Sequence, residues 1–412
     1  MAQYVRQHFI PQFILRNYGV DVDEEKNDLI YVYSNYEFIV EKKRVADSYI
    51  VENLYDSNQF EDIKKLEKDL GDYLEKIVAP VFKKLIECRD KFIINREELK
   101  LIKKYLLIQL YRTEVNMTYY LSQNVKGIEI SSSSINKGES KLDFWKREMH
   151  TILHTEWDDL LKPNFPLHGV KHFAMEINQG HLCFVQTTDE FLMNDLGKVS
   201  ELIPVEIPED KVEGFRKTAE FISKEDFPQA LEIFEYELKN KTSKLETFSF
   251  YPVSPTVAVI LARKHNLGPS WMNFYENSLT FSIDKFSPPF NRYKNKEVYE
   301  LNQQIFSLQK NKDVTEAFKK ASELYMKRET LFEIDDEYEY SVKLLSKEET
   351  IRINVMILNE ARKYITFKST SNVEETIKNY NYLYNSSFGN IKNNFSGLIG
   401  LIGSLNVEKS KE

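Results

Sequence analysis

Apolar positions change period several times along this chain, and each change predicts a different kind of element. Residues 29–55, "LIYVYSNYEFIVEKKRVADSYIVENLY", alternate apolar and polar side chains and are rich in Ile, Val and Tyr. That pattern predicts two or three short strands, turning near Ser34-Asn35. The preceding segment carries Phe9, Ile10, Phe13, Ile14 and Leu15, which need a core and are expected to pack against those strands. From Phe60 the period lengthens. Ile63, Leu66, Leu70, Leu74, Ile77, Val78, Val81 and Leu85 follow helical spacing, predicting an amphipathic helix over 60–87 that Pro80 kinks or divides. Asn95-Arg96-Glu97-Glu98 reads as a cap for a second helix reaching about Leu121, and "LDFWKREMHTILHTEWDDLL" (142–161) as a third. Between them, "EISSSSINKGES" (129–140) reads as a polar loop.

The second half reverts to mixed patterns. "HFAMEI" (172–177) and "HLCFVQTT" (181–188) read as a strand pair turning at Asn178-Gln179-Gly180, and residues 209–240 hold at least one further helix. "FSFYPVSPTVAVILAR" (248–263) reads as one buried strand bent at its prolines, and "EYEYSVKLLS" (337–346) as another. Residues 347–369 read as one long helix, and the Gly- and Ser-punctuated "GLIGLIGSLNVEKSKE" as a docking segment or frayed tail. The order predicts an α+β fold, helical in the majority, with a small N-terminal sheet and a second mixed or antiparallel sheet in the C-terminal half. One large domain is expected over residues 1–370 (strand-rich 1–58, helical 59–162, mixed 163–370), followed by an extension, 371–412.

Composition narrows the function classes. The 412 residues are 42% hydrophobic and 13% aromatic, enough for a sizeable core, and the formal net charge of −8 disfavours a chain that coats nucleic acid or anionic membrane non-specifically. Cys88 and Cys183 are too few for a disulfide framework or a four-ligand zinc site. No stretch approaches ~18 consecutive apolar residues, so no membrane partner is expected and a reducing, cytoplasmic location is. Abundant Lys, Ile and Asn suit a low-GC bacterial gene.

Four segments then resemble, in order, the bacterial and fungal family called domain of unknown function 4238. "QHFIPQFILRNY" (7–18) is similar to its Gln-His-x-x-Pro-x-x-x-Leu-Arg-x-Phe opening, with Tyr18 at the last aromatic position. "TTDEFLM" (187–193) resembles its Thr-Ser-Asp-Asn-Pro-Val motif, departing at Glu190-Phe191, where the family has Asn-Pro. "YPVSPTVAVIL" (251–261) is similar to its Phe-Pro-Leu-Ser-Pro strand and "INVMILNEARKYITF" (353–367) to its closing helix, with weaker matches around Glu75 and Arg112-Thr113. The family brings no activity, so the resemblance implies positions rather than a mechanism.

Those positions are His8, Arg16, Asn17, Glu75, Arg112, Asp189, Ser254 and Asn354. A histidine, carboxylates and arginines from separate elements are the ingredients of acid/base chemistry on an anion. His8, Asp189 and Glu75 are the candidate catalytic groups; Arg16, Asn17, Arg112 and Asn354 the candidate substrate-binding ones. His8 and Asp189, at ends of extended segments, are expected to face solvent, and Arg112 to follow the core stripe of a helix. The competing structural reading pairs Arg16 with Glu75 and Arg112 with Asp189 as buried ions. Ser254, between two prolines without an elbow-type glycine pattern, reads as a turn residue.

His150 and His154 are spaced to face one metal from a helix, but Thr151 stands where a His-Glu-x-x-His motif needs Glu. Without an acidic partner at that spacing, no bound metal is assigned and no structural zinc is expected. Arg147 with His154 loosely resembles the Arg-x(4–6)-His pair of HEPN-type ribonucleases. No Gly-rich phosphate loop occurs among the 13 glycines. Two functions remain in view. One is a hydrolase of nuclease type, cleaving phosphodiesters as a defence or toxin effector, needing no assigned cofactor but compatible with a divalent metal. The alternative is a non-catalytic sensor that binds an anionic ligand or peptide. The expected partner is a small anionic ligand or a nucleic acid.

Overall fold

The computed structural model describes residues 6–23, 25, 28–113, 136, 139–206, 242–262, 296–308, 314–329 and 337–383. Most of the predicted loop at 129–140, the helix expected within 209–240 and the C-terminal tail lie outside these residues.

The chain opens with β1 (Arg6–His8), helix α1 (Gln12–Leu15) and a 3-10 turn at Arg16–Tyr18. Then follow β2 (Asp21–Val22), β3 (Asp28–Ser34), β4 (Ile39–Arg44) and β5 (Ile50–Glu52), so the strands expected within 29–55 are present. The helix expected over 60–87 is α2 (Lys65–Leu70), a π-helical turn (Gly71–Glu75) and α3 (Lys76–Glu87). The spacing of buried Leu66, Leu70, Leu74 and Val78 explains the π turn. Steps of four residues drift about 40° each around an α-helix of 3.6 residues per turn, and one wider turn restores the stripe. Ile63 and Ile77 fall off that stripe and are exposed. Pro80 lies inside α3; the departure from α geometry is upstream of it.

Strand β6 (Lys91–Asn95) interrupts a stretch read as purely helical. It leads into α4 (Arg96–Tyr111), where Asn95 and Glu98 form the expected reciprocal capping box. The third predicted helix breaks at Thr155 into α5 (Lys141–His154) and α6 (Trp157–Leu160). Residues 172–177 are not a strand. They belong to α7 (His168–Gln179), whose Val170, Ala174 and Ile177 are fully buried at helical spacing. Strands β7 (His181–Thr187), β8 (Met193–Asn194) and β9 (Val199–Glu206) follow. The single strand expected over 248–263 is a hairpin of β10 (Thr242–Ser254) and β11 (Val257–Ala262), turning at Pro255-Thr256. Helices α8 (Lys296–Leu308) and α9 (Val314–Glu329) and strand β12 (Glu337–Leu345) come next. The long final helix is shorter than expected. α10 (Lys347–Glu360) ends before β13 (Tyr364–Phe367), and α11 (Thr370–Leu383) follows. Val373, Ile377 and Tyr380 of α11 are buried.

The result is an α+β fold. Among the described residues its main sheet has six strands in the order β6-β12-β7-β11-β10-β9, antiparallel except for the parallel β12–β7 pair. Alternate residues of β7 and β11 serve two cores. Leu182, Phe184, Val257, Val259 and Leu261 join the cluster formed with the N-terminal segment and α2 to α7, whereas Cys183, Val185, Ala258 and Ile260 join the cluster beneath α10 and α11. A sheet covered on both faces explains the unbroken apolar run at 257–262. The second sheet is not purely N-terminal: β8, from mid-chain, and β13, from the far half, complete β2, β3 and β4.

Candidate functional site

The opening segment works from both of its ends. β1 pairs antiparallel with β5, and Pro11 (φ −56°, ψ 135°) starts α1. Phe9, Ile10, Ile14, Leu15 and Tyr18 are buried, while Phe13, expected buried, is half-buried and stacks on Phe82 at 6.1 Å. Spacing of four places His8, Gln12 and Arg16 in one row. His8 Nε2 lies 3.2 Å from the Val45 carbonyl, and Nδ1 lies 3.3 Å from Gln12 Nε2. Both ring nitrogens are thus occupied when Nε2 carries the proton. Burial pushes the His8 pKa below its ordinary value. The expectation that His8 faces solvent is therefore corrected.

Arg112, at the C-terminal end of α4, is buried with its guanidinium aimed back at this segment. It donates to Glu75 Oε1 at 2.7 Å, to the His8 carbonyl at 2.7 Å and to the Tyr55 hydroxyl at 3.4 Å. Gln7 joins the same network: its side chain accepts from the Tyr55 backbone N–H at 2.5 Å and donates to Asp56 at 2.6 Å. Glu67, on α2, also belongs here. Burial pushes its pKa up to about 7; nearby Arg112 opposes this, and Glu75 and Asp56 reinforce it. Its Oε2 is buried without a hydrogen-bond partner. His8, Glu75 and Arg112 thus come together, as the sequence reading proposed. The expected ion pairs are corrected: Arg112 pairs with Glu75, and Arg16, 55% exposed, pairs with Asp28 at 3.5 Å.

The remaining motif residues hold backbone elsewhere. Asn17 donates to the Val253 carbonyl at 2.7 Å, next to Ser254 in the β10–β11 turn. Asn354, on α10, accepts from Leu192 N–H at 2.9 Å and donates to the Glu190 carbonyl at 2.6 Å. Phe191 N–H reaches the Pro255 carbonyl at 2.6 Å, so the departure at Glu190-Phe191 leaves a well-held turn. The Glu190 carboxylate accepts from the N–H groups of Lys368 and Ser369. Burial nevertheless pushes its pKa up to about 7. Asp189 sits in this turn, half-buried, with its N–H on Thr187 Oγ1. It lies outside the set of groups bonded to Arg112.

Sequence reasoning missed Gln7, Tyr55, Glu67 and Glu190. Gln7 and Glu190 lay within the matched motifs, and Glu67 follows Leu66 on the stripe that leads to Glu75; Tyr55 carried no signal. His150 and His154 converge, and Asp69 from α2 joins them, with His154 Nε2 2.7 Å and His150 Nε2 3.4 Å from Asp69 Oδ2. Arg147 binds Glu139 through two nitrogens, at 2.7 and 2.8 Å.

An α+β protein with a two-faced sheet and an N-terminal segment pinned by a buried arginine is the class that fold and site define. The chain belongs to the family described as Protein of unknown function (DUF4238), whose model matches residues 6–371. No curated protein and no solved structure matches it.

Proposed function

We propose that the protein is a cytoplasmic hydrolase acting on a phosphate-bearing substrate, with Glu67 and Glu75 as its proton-handling pair. One observation carries this reading. Two carboxyl groups on one helical stretch feel the same buried guanidinium in different environments: Glu75 is ion-paired to it at 2.7 Å, and Glu67, under its electrostatic influence only, has a buried oxygen without a hydrogen bond and a pKa that burial pushes to about 7. Carboxyls whose environments separate them in this way suit acid and base roles at neutral pH. Glu67 would deliver a proton to a leaving oxygen, and Glu75 would take one from water. Arg16, the exposed member of the row, would attract the phosphate. His8 and Arg112 would act as positioning residues, since their polar atoms are engaged with the protein itself. A nuclease-type effector of bacterial defence fits this reading.

The purified protein is expected to hydrolyse single-stranded RNA or a generic aryl phosphodiester, and Glu67→Gln or Glu75→Gln to cut the rate by on the order of 100-fold, as loss of an acid or base does. An inactive wild type, or variants as active as wild type, would count against it. A second reading, a non-catalytic sensor for an anionic ligand or peptide, is favoured by the exposure of Arg16. An effector slows growth of its host when overexpressed, and a sensor does not.

A further inference from the structure

We propose that Asp69, His150 and His154 form a binding site for one divalent transition-metal ion of the zinc class, independent of the carboxyl pair above. His150 and His154 are one turn apart on α5 and turn their Nε2 atoms to the same oxygen of Asp69 on α2. The three ligand atoms all lie within 4.8 Å of one another. With metal–ligand bonds of about 2.0–2.1 Å, neighbouring donors of a tetrahedral ion stand about 3.3 Å apart, so the triad closes around an ion with side-chain adjustments of well under a residue's length.

The site is held in shape from outside. Phe60 stacks on the His150 ring at 4.9 Å, and Tyr73, in the π turn, meets the His154 ring edge-on at 4.5 Å. His150 Nε2 is buried and, although 3.4 Å from the carboxylate, makes no hydrogen bond to it, as a nitrogen aimed at a shared centre would.

Two imidazoles and a single carboxylate select a borderline metal over magnesium or calcium, which prefer all-oxygen shells. Three protein ligands leave a fourth position open, the pattern of catalytic and not structural zinc. One carboxylate against a dication leaves one net positive charge, so that position suits water, hydroxide or an anionic group. Lys65 Nζ, 3.4 Å from Asp69 Oδ2 and 39% exposed on its side chain, is the cation that the metal would displace.

Calorimetric titration of the chelator-treated, full-length protein with zinc, and its absorption spectrum with cobalt, test this. One saturable site is expected, with a cobalt spectrum of low coordination number and a melting temperature that zinc raises and chelator restores. His154→Ala, at a partly exposed position, should weaken zinc binding by on the order of 100-fold or more while keeping the metal-free melting temperature. Lys65→Ala should tighten it. Absence of a one-to-one site, or zinc affinity unchanged in both variants, would overturn the proposal.

Discussion

Glu67 links stability to pH through a single side chain. Its ordinary value is 4.5 and its folded value about 7, so the folded chain binds this proton more tightly than the unfolded chain does. Stability drawn from the neutral carboxyl is therefore full below about pH 4.5 and is lost as pH rises towards 7. Glu190 has the same sign over the same window, because burial outweighs its two backbone hydrogen bonds. Glu67→Gln keeps the shape of the neutral acid and cannot ionise. Its melting temperature is expected to match wild type near pH 4.5 and to exceed it at pH 8, with the Glu190 share of the slope remaining. Melts at both pH values check this, and a variant whose pH slope equals that of wild type would refute it. If the same substitution removes activity, a group held at a cost in stability is serving function.

At the scale of elements, the N-terminal segment shows what a sequence can and cannot reveal. Its burial was legible, because Phe9, Ile10, Ile14 and Leu15 cannot stay in water. Its partners were not: His8 and Asn17 stand nine residues apart, yet one reaches Val45 and Arg112 and the other reaches Val253. Capping boxes at Asn95 and Ser346 follow local rules and were readable or within reach. The strands at 91–95 and 364–367 are short, and pairing with distant chain, not local periodicity, decides their state. Likewise Asp69 was invisible as a partner of His150 and His154, because helical spacing speaks only within one helix. Deleting residues 1–18 removes the β5 partner, the acceptor of Arg112 at His8 and five buried apolar side chains together. The shortened protein is expected to be insoluble on expression. A soluble deletion with the wild-type melting temperature would show that the segment is dispensable.

The whole molecule is interleaved and not built from consecutive blocks. β6, from the first quarter of the chain, lies on the edge of the main sheet against β12, and β13, after residue 363, lies beside β3 in the other sheet. Tyr49 Oη donates to Thr366 Oγ1 at 2.8 Å across this junction, and Tyr31 stacks on Phe367 at 5.5 Å. Neither sheet is complete within either half, and the shared strands β7 and β11 feed both apolar clusters from opposite faces. Loss of either cluster strips the packing seen among the described residues from one face of the main sheet, exposing its apolar surface. Unfolding should accordingly be a single cooperative transition, despite a length at which two domains are common. Differential scanning calorimetry is expected to give one heat-absorption peak, with calorimetric and van't Hoff enthalpies in agreement. Two resolved peaks, or a stable proteolytic core ending before β12, would mean that the interleaved strands do not bind the halves into one unit.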